Sequence, residues 1–239
     1  MSAKISEPRT LVQLSGITKV YGKGAAAMHA LRGVDLQIDK GDFVAVMGPS
    51  GSGKSTCLNI IGCLDRPSGG SYQFKGVEVG KLSRDQRARL RRNYLGFVFQ
   101  GFNLLDRTSA LENVELPLVY RGAPSDERHE RASKALAAVG LQGWEHHTPG
   151  ELSGGQQQRV AIARSIVTQP DVLLADEPTG NLDTTRSKEI MELLTAFNHE
   201  QGITIIMVTH EPDMAACAGR TIQFVDGLID SNQLNGEVS

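Results

Sequence analysis

The stretch Gly48-Pro49-Ser50-Gly51-Ser52-Gly53-Lys54-Ser55-Thr56 decides the fold. It follows the apolar run Phe43 to Met47 and precedes a helical pattern from Lys54 to Leu64. Strand, glycine-rich loop and helix in that order turn G-x-x-x-x-G-K-[ST] from a chance string into a phosphate cradle. Gly48, Gly51 and Gly53 permit positive φ and let the backbone approach an anion closely. Successive N–H groups then form a nest for phosphate oxygens, and the helix that begins there adds the positive end of its dipole. Lys54 supplies a mobile point charge for the outer phosphates. Ser55 offers a hydroxyl to Mg2+, an ion that takes oxygen ligands and keeps several waters. A plain glycine-rich turn is the competing reading, and the strand in front disfavours it.

Working outward, the 239 residues are 40% hydrophobic, which suits a globular core. No long polar linker divides the chain, which predicts one domain carrying a lobe. A formal net charge of −2 leaves no global field to recruit nucleic acid. No apolar run approaches the ~20 residues of a membrane span. Met1 to Thr10 is polar and lacks a signal-peptide core. Action at a membrane would therefore need another chain to cross the bilayer. Cys57, Cys63 and Cys217 have no metal or redox spacing and read as reduced thiols.

Upstream of the cradle, Leu11 to Leu14 reads as an edge strand and Ala30 to Ile38 as a second strand. Tyr21, in Lys19-Val20-Tyr21-Gly22, is placed to stack on a base, although packing is the commoner role for such a residue. Downstream, Ser71 to Phe74 is a short strand and Ser83 to Asn93 a helix. Across Lys81 to Arg92 six bases meet one acid, Asp85, a local charge of +5. That bias reads first as a solvated helix face, and second as a contact for an anionic membrane surface or an acidic partner segment. Gly96 to Gln100 is an apolar strand that ends in one amide. Thr108 to Arg121 and Asp126 to Val139 are helical and break the strand–helix alternation, which predicts an inserted helical lobe over about 101–168.

Leu152-Ser153-Gly154-Gly155-Gln156 opens a further helix, with Ser153 as its N-cap and uncovered glycine N–H groups suited to an oxyanion. Val172 to Ala175 is a buried parallel strand that ends at Asp176-Glu177. Open α/β sheets bind ligands at that end of their strands. Asp176 can therefore reach Mg2+, and Glu177 can polarise an attacking water. Ser187 to Phe197 is a helix, and Ile203 to Val208 a strand that brings His210 to the same end. Arg220 to Ile229 reads as two short strands about the turn Asp226-Gly227, and the residues from Asp230 onward as a poorly anchored polar tail.

With these motifs assembled, the chain resembles the ATP-binding cassette family, the nucleotide-binding subunits of ABC transporters, over about Leu11 to Asp230. The phosphate loop is shared by many NTPases, whereas LSGGQ at Leu152 to Gln156 is far more specific. The resemblance implies a mixed-sheet α/β P-loop NTPase with an antiparallel β edge and an inserted helical subdomain. It implies one ABC ATPase domain over 1–239, with a RecA-like core over about 11–100 and 169–230 and a polar tail over 231–239. ATP and Mg2+ are the implied ligands. Tyr21 then corresponds to the adenine-stacking aromatic, and Gln100 to the loop glutamine that contacts Mg2+ or water and senses the partner. Glu177 corresponds to the catalytic base, His210 to the switch histidine near the γ-phosphate, and Gly180 to Asp183 to the loop that crosses a dimer interface.

GFVFQGFNLL, ENVELPLVY, LSGGQQQRVAIAR and LADEPTGNLD look closer still to the macrolide-exporter and lipoprotein-release group (MacB and LolD type). The partners so implied are a second copy of the chain and an integral membrane permease with an extracytoplasmic domain. A periplasmic adaptor is a further candidate, and no nucleic acid is expected. The implied location is peripheral, on the cytoplasmic face of the inner (plasma) membrane. Two other readings compete. A soluble ABC protein acting on ribosomes or DNA usually has two cassettes or a long coiled coil, and this chain shows neither a second cassette nor a heptad run. A simple P-loop kinase leaves LSGGQ without a role.

Overall fold

The computed structural model describes residues 9–235. The fold is built on two sheets. Four antiparallel strands lie in the order β2 (Met28–Asp39), β1 (Thr10–Tyr21), β4 (Gly69–Phe74), β5 (Val77–Glu78). Six strands form the second sheet, in the order β10 (Leu228–Leu234), β9 (Arg220–Val225), β3 (Phe43–Met47), β8 (Thr204–Val208), β7 (Val172–Asp176), β6 (Leu95–Phe99). Every pairing from β9 to β6 is parallel, and β10 closes the edge antiparallel.

The central strands are apolar throughout because both of their faces are covered. Alternation sends Val44, Val46, Val172, Leu174, Ile206 and Val208 to one face. There they meet α1 (Lys54–Ile61) and the inner side of the antiparallel sheet. Ala45, Leu173, Ala175, Ile205 and Met207 point the other way. They pack with α3 (Ala110–Arg121), α4 (Ser125–Ala138), α5 (Gly154–Ile166) and α6 (Thr184–Gln201). Helix α2 (Arg84–Tyr94) lies beside β6, and α7 (Pro212–Ala215) is a single turn.

Two sequence expectations are corrected. Leu11 to Leu14 is not an edge strand: it belongs to the twelve-residue β1, which lies between β2 and β4. A bulge hid its length. The register shifts between Leu14 and Ile17, Gly16 takes φ 57°, and the buried positions fall out of period two. The second correction concerns the polar C-terminal tail. Residues 230–234 complete β10, because strand pairing depends on backbone groups that polar residues also carry. Asn235 then anchors the end: its N–H donates to Gly219 O at 2.9 Å, and its side-chain amide donates to Ala215 O and Ala218 O at 3.1 and 2.9 Å. The expected tail over 236–239 lies outside the described residues.

Candidate functional site

The phosphate loop joins β3 to α1 across a cavity of about 570 Å3. Gly48, Pro49, Ser50, Gly51, Gly53, Lys54, Ser55 and Thr56 line it, together with Glu177 and His210. Two of its glycines are obligatory. Gly48 has φ 142°, and a Cβ there would lie 2.1 Å from Phe224 O. Gly53 has φ 102°, and a Cβ there would lie 2.6 Å from Ala30 O. Lys54 Nζ donates to Gly48 O and Pro49 O, each at 2.8 Å, so its charge is held at the mouth of the nest. Ser52 Oγ is buried without a partner. Ser52 lies outside the cavity lining, and it is the loop N–H groups and the lysine that fit a phosphate oxygen.

The parallel order of β3, β8 and β7 brings three strand ends to this loop. Asp176 Oδ1 accepts from Ser55 Oγ at 3.4 Å. Burial raises the Asp176 pKa, and Glu177 adds to the rise while Ser55 and Lys54 oppose it. An oxygen-only pair beside a phosphate cradle suits a hard divalent cation such as Mg2+. Glu177 sits at φ 48°, a conformation rare for a side chain of its size. Its N–H donates to Val208 O at 2.9 Å, and Oε1 lies 3.1 Å from His210 Nδ1. Gln100 lines an adjoining cavity of about 360 Å3 with Ser55, Asp176 and Glu177.

The other sequence-derived residues lie apart from this cluster. Ser153 caps α5 reciprocally: its Oγ accepts from Gln156 N at 3.4 Å, and its N–H donates to Gln156 Oε1 at 2.9 Å. Ser153, Gly154, Gly155 and Gln156 line neither of the two cavities. Asp183 caps α6 by accepting from Arg186 N at 3.0 Å. Arg186 lies against Gly155, where a Cβ would stand 3.0 Å from Arg186 Cδ. Tyr21 is exposed at the end of β1, and its phenol donates to Asp65 Oδ2 at 2.9 Å. It stands outside the cavity lining, while its ladder partner Met28 is part of it.

Sequence reasoning missed three residues that join these parts. Arg164 of α5 donates to Asn103 O at 2.6 Å and to Phe102 O at 2.8 Å. Phe102 and Asn103 follow Gln100 with φ 60° and 50°. Asn181 Nδ2 donates to Gln100 O at 2.8 Å, and Gln158 Nε2, fully buried on α5, donates to Pro178 O. The sequence signals were that Arg164 and Gln158 fall inside the motif-bearing helix and Asn181 inside the Gly180–Asp183 loop, without their partners.

Comparison with known proteins identifies the family. The sequence pattern described as ABC transporter matches residues 31–180. The chain belongs to the ABC transporter family. It is 52% identical over 220 residues to the macrolide export ATP-binding/permease protein MacB of Marinobacter nauticus, covering 92% of this chain and 34% of MacB. The ABC transporter ATP-binding protein YknY of Bacillus subtilis, itself uncharacterised, is 52% identical over 219 residues, which is 92% of this chain and 95% of YknY. The chain therefore spans about a third of the length of MacB and nearly all of YknY. Among solved structures, the dimeric post-hydrolysis state of the cassette MJ0796 bound to ADP and Pi superposes with a TM-score of 0.87 at 45% identity, covering 94% of this chain and 98% of that one. A second dimeric MJ0796 structure gives 0.87 at 44%. This ABC chain is an ATPase of the transporter class, close to MacB-type nucleotide-binding domains, and the ribosome or DNA reading is not favoured. No helix among the described residues is long and apolar enough to cross a membrane.

Proposed function

We propose that two copies of this cassette close on two molecules of Mg-ATP, and that closure drives a separate membrane permease. One observation carries the reading: the phosphate cradle and the Ser153 helix cap lie on different parts of one chain, which supports a site completed by a second copy. The dimeric state of the MJ0796 relatives supports it. The assignment of residues 101–168 as the helical lobe belongs to the same reading, supported by the mutual packing of α3, α4 and α5.

In this mechanism the loop N–H groups and Lys54 hold the triphosphate. Ser55, Asp176 and Gln100 hold Mg2+, which when bound supplies positive charge to the phosphate oxygens. Glu177 orients and deprotonates the attacking water, and His210 fixes the carboxylate from its other side. Ser153 and the Gly155 N–H of the facing copy meet the γ-phosphate. Cleavage removes that group, so ATP favours the closed pair and ADP does not.

Glu177→Gln removes the base and keeps the shape. Its turnover should fall by about 10²–10⁴-fold, and it should run as a dimer with Mg-ATP in light scattering. Full turnover would sink the assignment of the base, and a monomer under those conditions would sink closure.

A groove of about 730 Å3 lies between α2 and α3, with Leu64, Phe97, Leu116 and Tyr120 as apolar walls and Arg89 and Arg164 among its cations. An apolar channel with a basic border suits an amphipathic acidic segment, which we assign to the permease. The name of MacB joins an ATP-binding part and a permease in one protein, which supports a permease partner here. Arg89→Glu should lose an integral membrane protein that co-purifies with the wild type while basal hydrolysis is retained. Equal recovery of that protein would contradict the docking site.

A further inference from the structure

Two groups outside the phosphate site converge on Tyr21. Its phenol donates to Asp65 Oδ2 at 2.9 Å. Lys19 Nζ lies over the ring, 4.7 Å from the centroid, and donates to Asp65 Oδ1 at 2.6 Å and to Arg66 O at 2.8 Å. Lys19 and Tyr21 are two residues apart on β1 and share a face of the strand. Lys19 is 9% exposed, an unusual depth for a lysine. The turn that carries Asp65 is tied to the same strand on both sides of Lys19: Ser68 N donates to Thr18 O at 2.8 Å, and Val20 N donates to Ser68 Oγ at 3.0 Å.

The pair leaves the Lys19 side chain 11% and the Asp65 side chain 32% exposed, so the lost hydration falls mainly on the cation. Here the pair fixes an otherwise exposed aromatic ring in one orientation, with a cation on one face. Burial raises the Asp65 pKa, but the bonds from Lys19, Arg66 N and Tyr21 outweigh it and hold the carboxyl below its ordinary value. The tether remains charged at neutral pH. Asp65 lies in the turn four residues after α1, the helix that starts at Lys54, and its N–H donates to Asn59 O of that helix at 3.2 Å. The ring is thereby tied to the helix that follows the phosphate cradle.

We propose that Asp65 and Lys19 are positioning residues for the nucleotide base, which hold Tyr21 as a preformed stacking platform with its cation-free face toward the base. The proposal rests on the reading that Tyr21 receives the base. A ring already fixed loses little rotamer freedom when a base stacks on it, so its share of the affinity is kept. Removing the tether should weaken ligands that carry a base and leave the phosphates' own affinity alone.

The test is calorimetric titration of the full chain with ATP and with inorganic tripolyphosphate, in EDTA to suppress turnover. Tyr21→Phe keeps the ring and removes the tether, and Asp65→Asn removes its anchor. Each should weaken ATP by about five- to tenfold, the size of one ordinary lost hydrogen bond, with tripolyphosphate unchanged. Tyr21→Ala should weaken ATP at least as much. If Tyr21→Ala binds ATP like the wild type, the base reading itself fails. If Tyr21→Ala weakens ATP while Tyr21→Phe and Asp65→Asn do not, the positioning role fails and the base reading stands. An equal loss for tripolyphosphate in Tyr21→Phe would make the tether merely structural and overturn the proposal.

Discussion

At the scale of single residues, exposure and charge sort the chain's chemistry. Cys57 and Cys63 are buried, and burial pushes their thiols up to about 12 and about 11. Cys217 is exposed, and burial of part of it, with Asp213 and Glu192 nearby, raises its pKa as well. A thiol reagent at pH 8 should therefore titrate one cysteine slowly in the native protein and all three in denaturant. Prompt reaction of a second thiol would contradict the burial of Cys57 and Cys63. The residues that bear charge toward the phosphate were legible in the sequence because each stands in a fixed local frame. Lys54 and Ser55 follow a glycine loop, and Asp176 and Glu177 end an apolar strand. Asp65, Arg164 and Asn181 were not legible as partners, because their roles arise from contacts 44 to 81 residues away in sequence.

At the scale of elements, local rules carried most of the fold. Ser83, Ser109 and Ser153 each cap a helix with the glutamine or glutamate three residues on, as the pattern requires. The buried parallel strands announced themselves as short apolar runs. What failed was period: the bulge in β1 broke its alternation, and β10 had no apolar pattern to read. The loop after β6 is the element where strain and function meet. Phe102 and Asn103 both hold positive φ, and the forked guanidinium of Arg164 binds both of their carbonyls. Arg164→Ala should free this loop and cost about tenfold in turnover at saturating ATP, with ATP affinity little changed, because Gln100 would lose its seat. Phosphate release and ATP titration measure the two quantities separately. An unchanged turnover in a folded variant would show that the fork serves stability alone.

At the scale of the whole molecule, the arrangement is incomplete by itself. One face of the chain gathers cradle, acid pair and histidine, while Ser153, Gly154 and Gly155 begin a helix elsewhere. A helix start with a capping serine has the chemistry to meet a phosphate, once Arg186 moves off the buried Gly155. The most direct test of sharing uses two defective chains in the Glu177→Gln background, one with Lys54→Ala and the other with Ser153→Arg. Alone, neither should retain ATP in a closed dimer. Mixed, they should retain one nucleotide per heterodimer, held by the intact Lys54 of one chain and the intact Ser153 of the other. A mixture that retains none, while Glu177→Gln alone retains nucleotide, would contradict the shared site.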